Sequence, residues 1–206
     1  MRTTARTAYR LVRHEVLLYV CLGLWVARRT QGTRGGRAFG YASGQSALLM
    51  GFAFVCVVET VVMSVLLSRW PAVHYVVLVL DVYTVLFVIG LHAASVVRPH
   101  VLEPGALRVR KAAHLDLRIP LERIAAVRRE LRLTHEKADG VLDVEVGGQT
   151  TVTLELAEPV AYTTFLGRRR EVRLVRVYTD GADGLVGAVT RALSGADSRP
   201  YPGAEV

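Results

Sequence analysis

The sequence predicts a membrane α-helical hairpin of two transmembrane helices, preceded by an N-terminal interfacial helix and followed by a C-terminal α+β domain. Hydrophobic residues make up 51% of the chain and concentrate before residue 98. Beyond residue 98, apolar and polar residues alternate with a period of two, which is typical of half-buried antiparallel strands. We therefore divide the chain into a basic N-terminal segment, the hairpin, a cytosolic domain and a disordered tail, at residues 1–45, 46–97, 98–195 and 196–206.

The N-terminal segment carries eight arginines and one glutamate. Its apolar run, residues 16–27, has about a dozen residues, whereas a helix needs about 20 to cross a bilayer. Arginines flank this run on both sides, so it has no preferred direction of crossing. We favour an interfacial helix, with a third span as the alternative. No small-residue cleavage site follows, so a signal peptide is not expected.

The hairpin consists of two apolar stretches, residues 46–67 and 73–97, and each contains one acidic residue. Both are long enough to cross a hydrocarbon core of about 30 Å. The link between them, residues 68–72, contains Pro71, which interrupts a helix. Such a short link requires the two helices to run antiparallel.

The arginines predict the orientation of the hairpin. Arg28 and Arg29 precede the first span and Arg98 follows the second, whereas the tip carries only Arg69. The positive-inside rule then places both termini in the cytoplasm. Because the composition is that of a GC-rich bacterial gene, we expect a multi-pass protein of the bacterial inner membrane.

Two acids lie inside the predicted spans. Glu59 comes eleven residues before Trp70 and Asp81 comes eleven after it. At 1.5 Å per residue both would lie roughly 16 Å from the tip, near the middle of the bilayer. Ionisable residues at that depth are costly and indicate function. One interpretation is a proton or cation contact with a partner helix. The other is a protonated acid that hydrogen-bonds its neighbour and holds the hairpin together.

The C-terminal domain is predicted to hold about seven antiparallel strands and one helix. Alternation places Leu131 and Leu133 on an inward face. In the last strand, the residues expected to face inward shift from Val172 and Leu174 to Val175 and Val177, which suggests a bulge. Asp183 is the expected N-cap of the final helix. The predicted strands lie near residues 106–111, 115–119, 131–134, 142–146, 152–156, 160–166 and 172–178.

Two segments carry a family resemblance. Residues 117–127, LRIPLERIAAV, and residues 152–159, VTLELAEP, resemble recurrent elements of bacterial pleckstrin-homology-like (PH-like) domains. The resemblance covers residues 99–193, and the whole chain resembles an actinobacterial integral membrane protein that carries such a domain. It implies a PH-like fold and no particular ligand, because a fold does not determine a function.

Clustered arginines are the candidate contacts for lipid headgroups. Arg168, Arg169 and Arg170 are expected in a loop between strands, and Arg28 and Arg29 lie beside the membrane. Guanidinium groups bind phosphate in a bidentate manner. The alternative interpretation of the three consecutive arginines is a solvated loop.

No motif indicates a catalytic or metal site. The two cysteines lie in apolar runs, and the six histidines lack metal-ligand spacing. We therefore expect no enzyme activity and no cofactor. Nucleic-acid binding is not expected either, because the basic excess lies beside hydrophobic spans.

The function that this pattern favours is a membrane-anchored binding or scaffold module. Its domain would present itself at the cytosolic face to a protein partner or to anionic headgroups, and the chain could form homo-oligomers. The alternative is a subunit of a membrane transport or enzyme complex that uses Glu59 and Asp81.

Overall fold

The computed structural model describes residues 2–33, 35–135, 138–164 and 168–195, so the predicted tail at 196–206 lies outside the described residues. Four helices occur in this part of the chain: α1 (Arg2–Val26), α2 (Ser43–Leu66), α3 (Pro71–Val97) and α4 (Ala182–Leu193). The strands are β1 (Arg37–Phe39), β2 (His100–Glu103), β3 (Ala106–Lys111), β4 (Leu115–Pro120), β5 (Ile124–Arg132), β6 (Val141–Val144), β7 (Thr150–Thr163) and β8 (Arg169–Val177). The predicted architecture, a helical hairpin followed by a strand-rich domain, is confirmed.

Helices α2 and α3 form the predicted hairpin. A 3₁₀ turn, Leu67–Arg69, follows α2, and Pro71 occupies the first turn of α3, where its missing N–H costs no hydrogen bond. Within the described residues, these two helical stretches are long and apolar enough to cross a membrane. Only 11% and 17% of their most apolar windows is buried, so most of this surface has no protein cover.

Helix α1 packs against the C-terminal end of α3. Leu18 and Cys21 are buried in a small cluster with Ala94, Val97 and Ala112. The opposite face of α1 exposes a separate apolar set, Val12, Val16, Tyr19 and Val20. One apolar face of α1 is thus covered by protein, and the other is exposed.

The first sheet has the order β1-β2-β3-β4 and is antiparallel throughout. In its first pair, Arg37 lies opposite Leu102 and Phe39 opposite His100. Strand β1 precedes α2 and strand β2 follows α3, so both ends of the hairpin enter one sheet side by side. The sequence pattern predicted neither of these short strands.

The second sheet has the order β5-β7-β8-β6. Strand β6 pairs in parallel with β8, so the prediction of a purely antiparallel domain is wrong at this edge. The reason is that β6 does not form a hairpin with β5, the strand before it in sequence. It lies at the opposite edge of the sheet, beside β8, and runs in the same direction as β8. The two strands predicted near 152–156 and 160–166 form a single strand, β7, with an irregular register between Glu155 and Val160.

The two sheets and α4 enclose one hydrophobic core. Its fully buried members include Leu107 and Ile119 from the first sheet, Leu154 and Val175 from the second, and Leu185 from α4. Burial of apolar side chains from both sheets in one core is the main stabilising contribution to this domain.

The inward placement of Leu131 and Leu133 is wrong. Their side chains are 63% and 66% exposed. The register between β5 and β7 shifts between Arg129 and Arg132, where β5 has one more residue than its partner. Such an extra residue reverses which side chains face the core.

Helix α4 begins two residues earlier than expected. Gly181 occupies the N-cap position, and Asp183 lies in the first turn rather than at the cap. The Asp183 carboxylate instead accepts a hydrogen bond from Arg129 Nη1 at 2.8 Å. An acid in the first turn still interacts favourably with the helix dipole.

Candidate functional site at the membrane junction

The two intramembrane acids do not form a pair in the described residues. Asp81 faces α2 across a narrow gap that Thr60, Ser64 and His74 also line. Its Oδ2 atom is buried and has no hydrogen-bond partner among the described residues. Glu59 lies on the exposed face of α2. The hairpin is therefore not held together by a bond between these two acids.

The arginine triplet lies only partly in a loop. Arg169 and Arg170 belong to β8 and pair with Thr163 and Tyr162 of β7, so their predicted loop placement is wrong. Arg168 precedes the strand, and its backbone N–H donates to Thr164 Oγ1 at 3.0 Å. All three arginines are exposed.

Arg28 and Arg29 follow the last turn of α1 and are exposed. Close by, the Gln31 backbone N–H donates to the Val97 carbonyl at 2.9 Å, which brings the C-terminal ends of α1 and α3 together. Positive side chains are favourable beside helix C-termini. The two arginines therefore lie at the junction between the hairpin and the sheet domain.

The centre of this junction is Arg98, which connects α3 to β2. Its guanidinium is buried and donates to the Ala112 carbonyl at 2.6 Å and to Asp116 Oδ2 at 3.0 Å. Arg108 and Arg110 approach the same carboxylate, at 2.6 and 3.6 Å. Three guanidinium groups thus meet the Asp116 carboxylate, and Arg108 also lies 3.5 Å from Glu103. Three positive charges therefore face two negative charges at this point.

His100 and Tyr41 form a second connection between the hairpin and the sheets. Their rings stack with centroids 4.8 Å apart, and both are buried. His100 Nε2 donates to the Tyr178 carbonyl at 3.0 Å, while Nδ1 accepts from the Arg110 backbone N–H at 3.1 Å. The Tyr41 hydroxyl accepts from the Ala112 N–H at 2.8 Å, and burial raises the Tyr41 pKa to about 12.

This geometry keeps His100 neutral. The pKa of His100 is lowered to about 4, mainly by burial; the Tyr178 carbonyl and Asp180 act to raise it, and the Arg110 charge acts with burial to lower it. Because Nδ1 already faces a backbone N–H, protonation there would place two donors against each other. The folded protein therefore resists taking up this proton.

We expect the stability of the protein to fall as the pH is lowered from 6.5 to 4. The His100 pKa is depressed in the folded state, so only the unfolded state binds the proton in this window. The stability from His100 is complete above pH 6.5 and is lost towards pH 4, a loss on the order of 3 kcal/mol. Melting temperatures of the full chain in detergent across this range measure the effect.

The variant His100→Gln should be less stable at neutral pH but should show a shallower dependence on pH. His74→Gln, at the far end of α3, is the matched control and should keep the wild-type dependence. An equally steep dependence in His100→Gln would contradict this assignment.

A cleft opens beside the junction, between α1 and the sheet domain. It has room for about 330 Å³. Arg13 and His14 of α1 line one wall, and Arg98, Asp116 and His114 line another. The end of β7 completes it with Thr163 and Thr164. We call this space the junction cleft.

Sequence reasoning did not identify the residues of the junction. Arg98 was used only for orientation. His100 was considered as a residue of the membrane-to-domain junction, but a loop position was preferred; it lies in β2 and is buried, so the loop placement is wrong. His114 was not distinguished from the other histidines. The available signal was weak: Arg108, Arg110 and Lys111 lie within β3, and Asp116 lies in the next strand. Contacts between segments as distant as Tyr41 and Ala112 leave no local pattern.

Comparison with protein-family models, with curated proteins and with solved structures found no match to this chain. Its function must therefore be argued from its own residues.

Proposed function

We propose that the protein is a membrane-anchored binding and scaffold module. Its hairpin would hold a PH-like domain at the cytosolic face of the bacterial inner membrane, facing a protein partner or anionic lipid headgroups. The observation that carries this proposal is the pairing of β1 with β2, because these strands are the two ends of the hairpin.

This pairing supports a fixed rather than a flexible attachment. Only residues 40–42 separate β1 from α2, and only residues 98–99 separate α3 from β2. Side chains reinforce the attachment at the start of α2, where the Ser43 hydroxyl donates to the Asp180 carboxylate. A domain attached in this way keeps one face towards the membrane, which suits a module that binds a protein partner or lipid headgroups at the membrane surface.

The PH-like assignment is supported by the order of elements after the hairpin. Seven strands, β2 to β8, are followed by one helix that closes a core shared by two sheets. The LRIPLERIAAV segment runs from β4 through a 3₁₀ turn, Leu121–Arg123, into β5.

The proposed topology can be tested with single cysteines. We expect Trp70→Cys to react with a membrane-impermeant maleimide on intact cells, and Asp139→Cys to react only after the membrane is opened. Cys21 and Cys56 are buried, and both should be replaced by Ala to remove background. Reaction of position 139 on intact cells, or protection of position 70, would refute the cytosolic placement of the domain.

A role as a subunit of a transport or enzyme complex stays the alternative proposal. It is favoured by Glu59, an acid on the exposed apolar face of α2, where a partner helix could cover it. Two helices cannot enclose a pathway, so this role requires several copies or a second membrane protein.

A further inference from the structure

We propose that the junction cleft binds a phosphate-bearing anion, supplied by the headgroup of an anionic phospholipid. This inference rests on the proposed function, because it assumes that the cleft lies at the cytosolic surface of the bilayer. It names the ligand class that the module would bind.

The charges around the cleft favour an anion. Arg13 forms no ion pair or hydrogen bond with the side chains that the structure describes. The single acid of the cleft, Asp116, is already shared by three guanidinium groups, Arg98, Arg108 and Arg110. Arg98 is buried, and a buried cation that shares its only carboxylate is poorly neutralised.

Donors suited to phosphate oxygens converge on the same space. Thr163 and Thr164 contribute hydroxyl groups. Thr163 lies directly opposite Arg169 across the β7–β8 pair, and residues so paired project from the same face of a sheet. Arg169 does not line the cleft itself, but it is exposed next to Thr163, which does. Guanidinium and hydroxyl groups together form a common phosphate-binding set.

The surroundings favour a lipid as the source of the phosphate. Val12 and Val16 of α1 lie on the exposed apolar face beside Arg13. An acyl chain leaving the cleft would therefore continue along an apolar surface. Basic pockets at the cytoplasmic side of transmembrane helices are a known form of headgroup site. A volume of about 330 Å³ suits a headgroup and is too small for a whole lipid.

The state of His114 agrees with an electropositive cleft. The pKa of His114 is lowered to about 4, mainly by desolvation, and interactions with Lys111, His14 and Arg98 contribute to the lowering. A bound anion would offset those charges and make protonation of His114 easier.

The test compares lipid binding by the full-length protein with and without these residues. The protein is delipidated in a neutral detergent and titrated separately with phosphatidylglycerol, phosphatidylcholine and inorganic phosphate, and bound molecules are counted by native mass spectrometry. We expect phosphatidylglycerol to bind more tightly than phosphatidylcholine. The double variant Arg13→Gln/His114→Gln should lose about tenfold or more in phosphatidylglycerol affinity.

Arg173→Gln is the matched control, because Arg173 is exposed on β8 away from the cleft, and it should bind like the wild type. If the double variant does not fold, Arg13→Gln alone serves, since Arg13 is exposed. Undiminished phosphatidylglycerol binding in the variant, or no preference in the wild type, would overturn the proposal.

Two further outcomes are informative. Tighter binding of inorganic phosphate than of phosphatidylglycerol, with the same dependence on Arg13 and His114, would overturn the lipid source and assign a soluble anion. Correct labelling of positions 70 and 139 together with failed lipid binding would remove the cleft proposal alone. Labelling that contradicts the topology, together with binding of phosphatidylglycerol that depends on Arg13 and His114, would refute the proposed topology and leave the anion site.

Discussion

Replacing Gly147 by Ala should destabilise the protein by about 3 kcal/mol. Gly147 has a φ of +58°, and a Cβ atom there would lie 2.5 Å from the Gly44 carbonyl oxygen. The substitution therefore combines left-handed backbone strain with a clash against the backbone of the first turn of α2. Neither atom can move without separating the hairpin from the second sheet.

Gly148 provides the matched control. It follows Gly147 in the two-residue loop closed by Val146 and Gln149, and its φ is +73°, but nothing lies within 4 Å of a Cβ built there. Such loops need positive φ at both central positions. Gly148→Ala should therefore cost only the backbone strain, about 1 kcal/mol. Thermal unfolding of the full chain in detergent measures both variants.

Equal losses for the two glycine variants would contradict a close approach of α2 to this loop. The result bears directly on the proposed function, because this contact is one of those that fix the domain relative to the membrane. The neighbouring Gly44 is similarly restricted, since a Cβ atom on it would lie 2.7 Å from the ring of Tyr178.

Replacing Arg98 by Met should cost about 2–3 kcal/mol of stability. The aliphatic part of the side chain is retained, but the hydrogen bonds to the Ala112 carbonyl and to Asp116 are lost. Breaking a buried ion pair typically costs about 3–5 kcal/mol. The expected loss is smaller here because Asp116 is 31% exposed and keeps Arg108 as a partner.

Arg118 provides the matched control for Arg98. It pairs with Glu103 at 3.4 Å, but its side chain is 64% exposed. Exposed ion pairs contribute about 0–1 kcal/mol, so Arg118→Met should be nearly neutral. Limited proteolysis should also show faster cleavage near residues 98–100 in Arg98→Met only. Similar stability for the two variants would show that Arg98 does not hold the hairpin to the sheets.

The periodic elements were predictable because their signal is local. The strands predicted at 106–111 and 115–119 match β3 and β4 within a residue, since their alternation follows a one-sided core. Leu131 shows where this logic fails. A bulge changes the face of a strand, and it is defined by the register between two strands rather than by the alternation within one.

The candidate site was harder to predict than the fold. Glu59 and Asp81 were correctly placed within the hairpin helices, but helical spacing alone does not set how far each helix is rotated about its axis. Packing against α3 turns Glu59 outwards, while Asp81 faces the gap between the helices. The arginines of the junction meet Asp116 through the pairing of β2, β3 and β4. The pairing of β1 with β2 adds the chain leading to Tyr41 and joins segments more than 60 residues apart.

The sequence alone determined that two apolar helices form a tight hairpin and that a strand-rich domain follows, because hydrophobic length and period are properties of a continuous stretch of chain. Only the tertiary structure decided how the two parts are joined, which cations share Asp116, and that a basic cleft lies between α1 and the sheets. Those features depend on distances between segments remote in sequence, and no local pattern of residues encodes them.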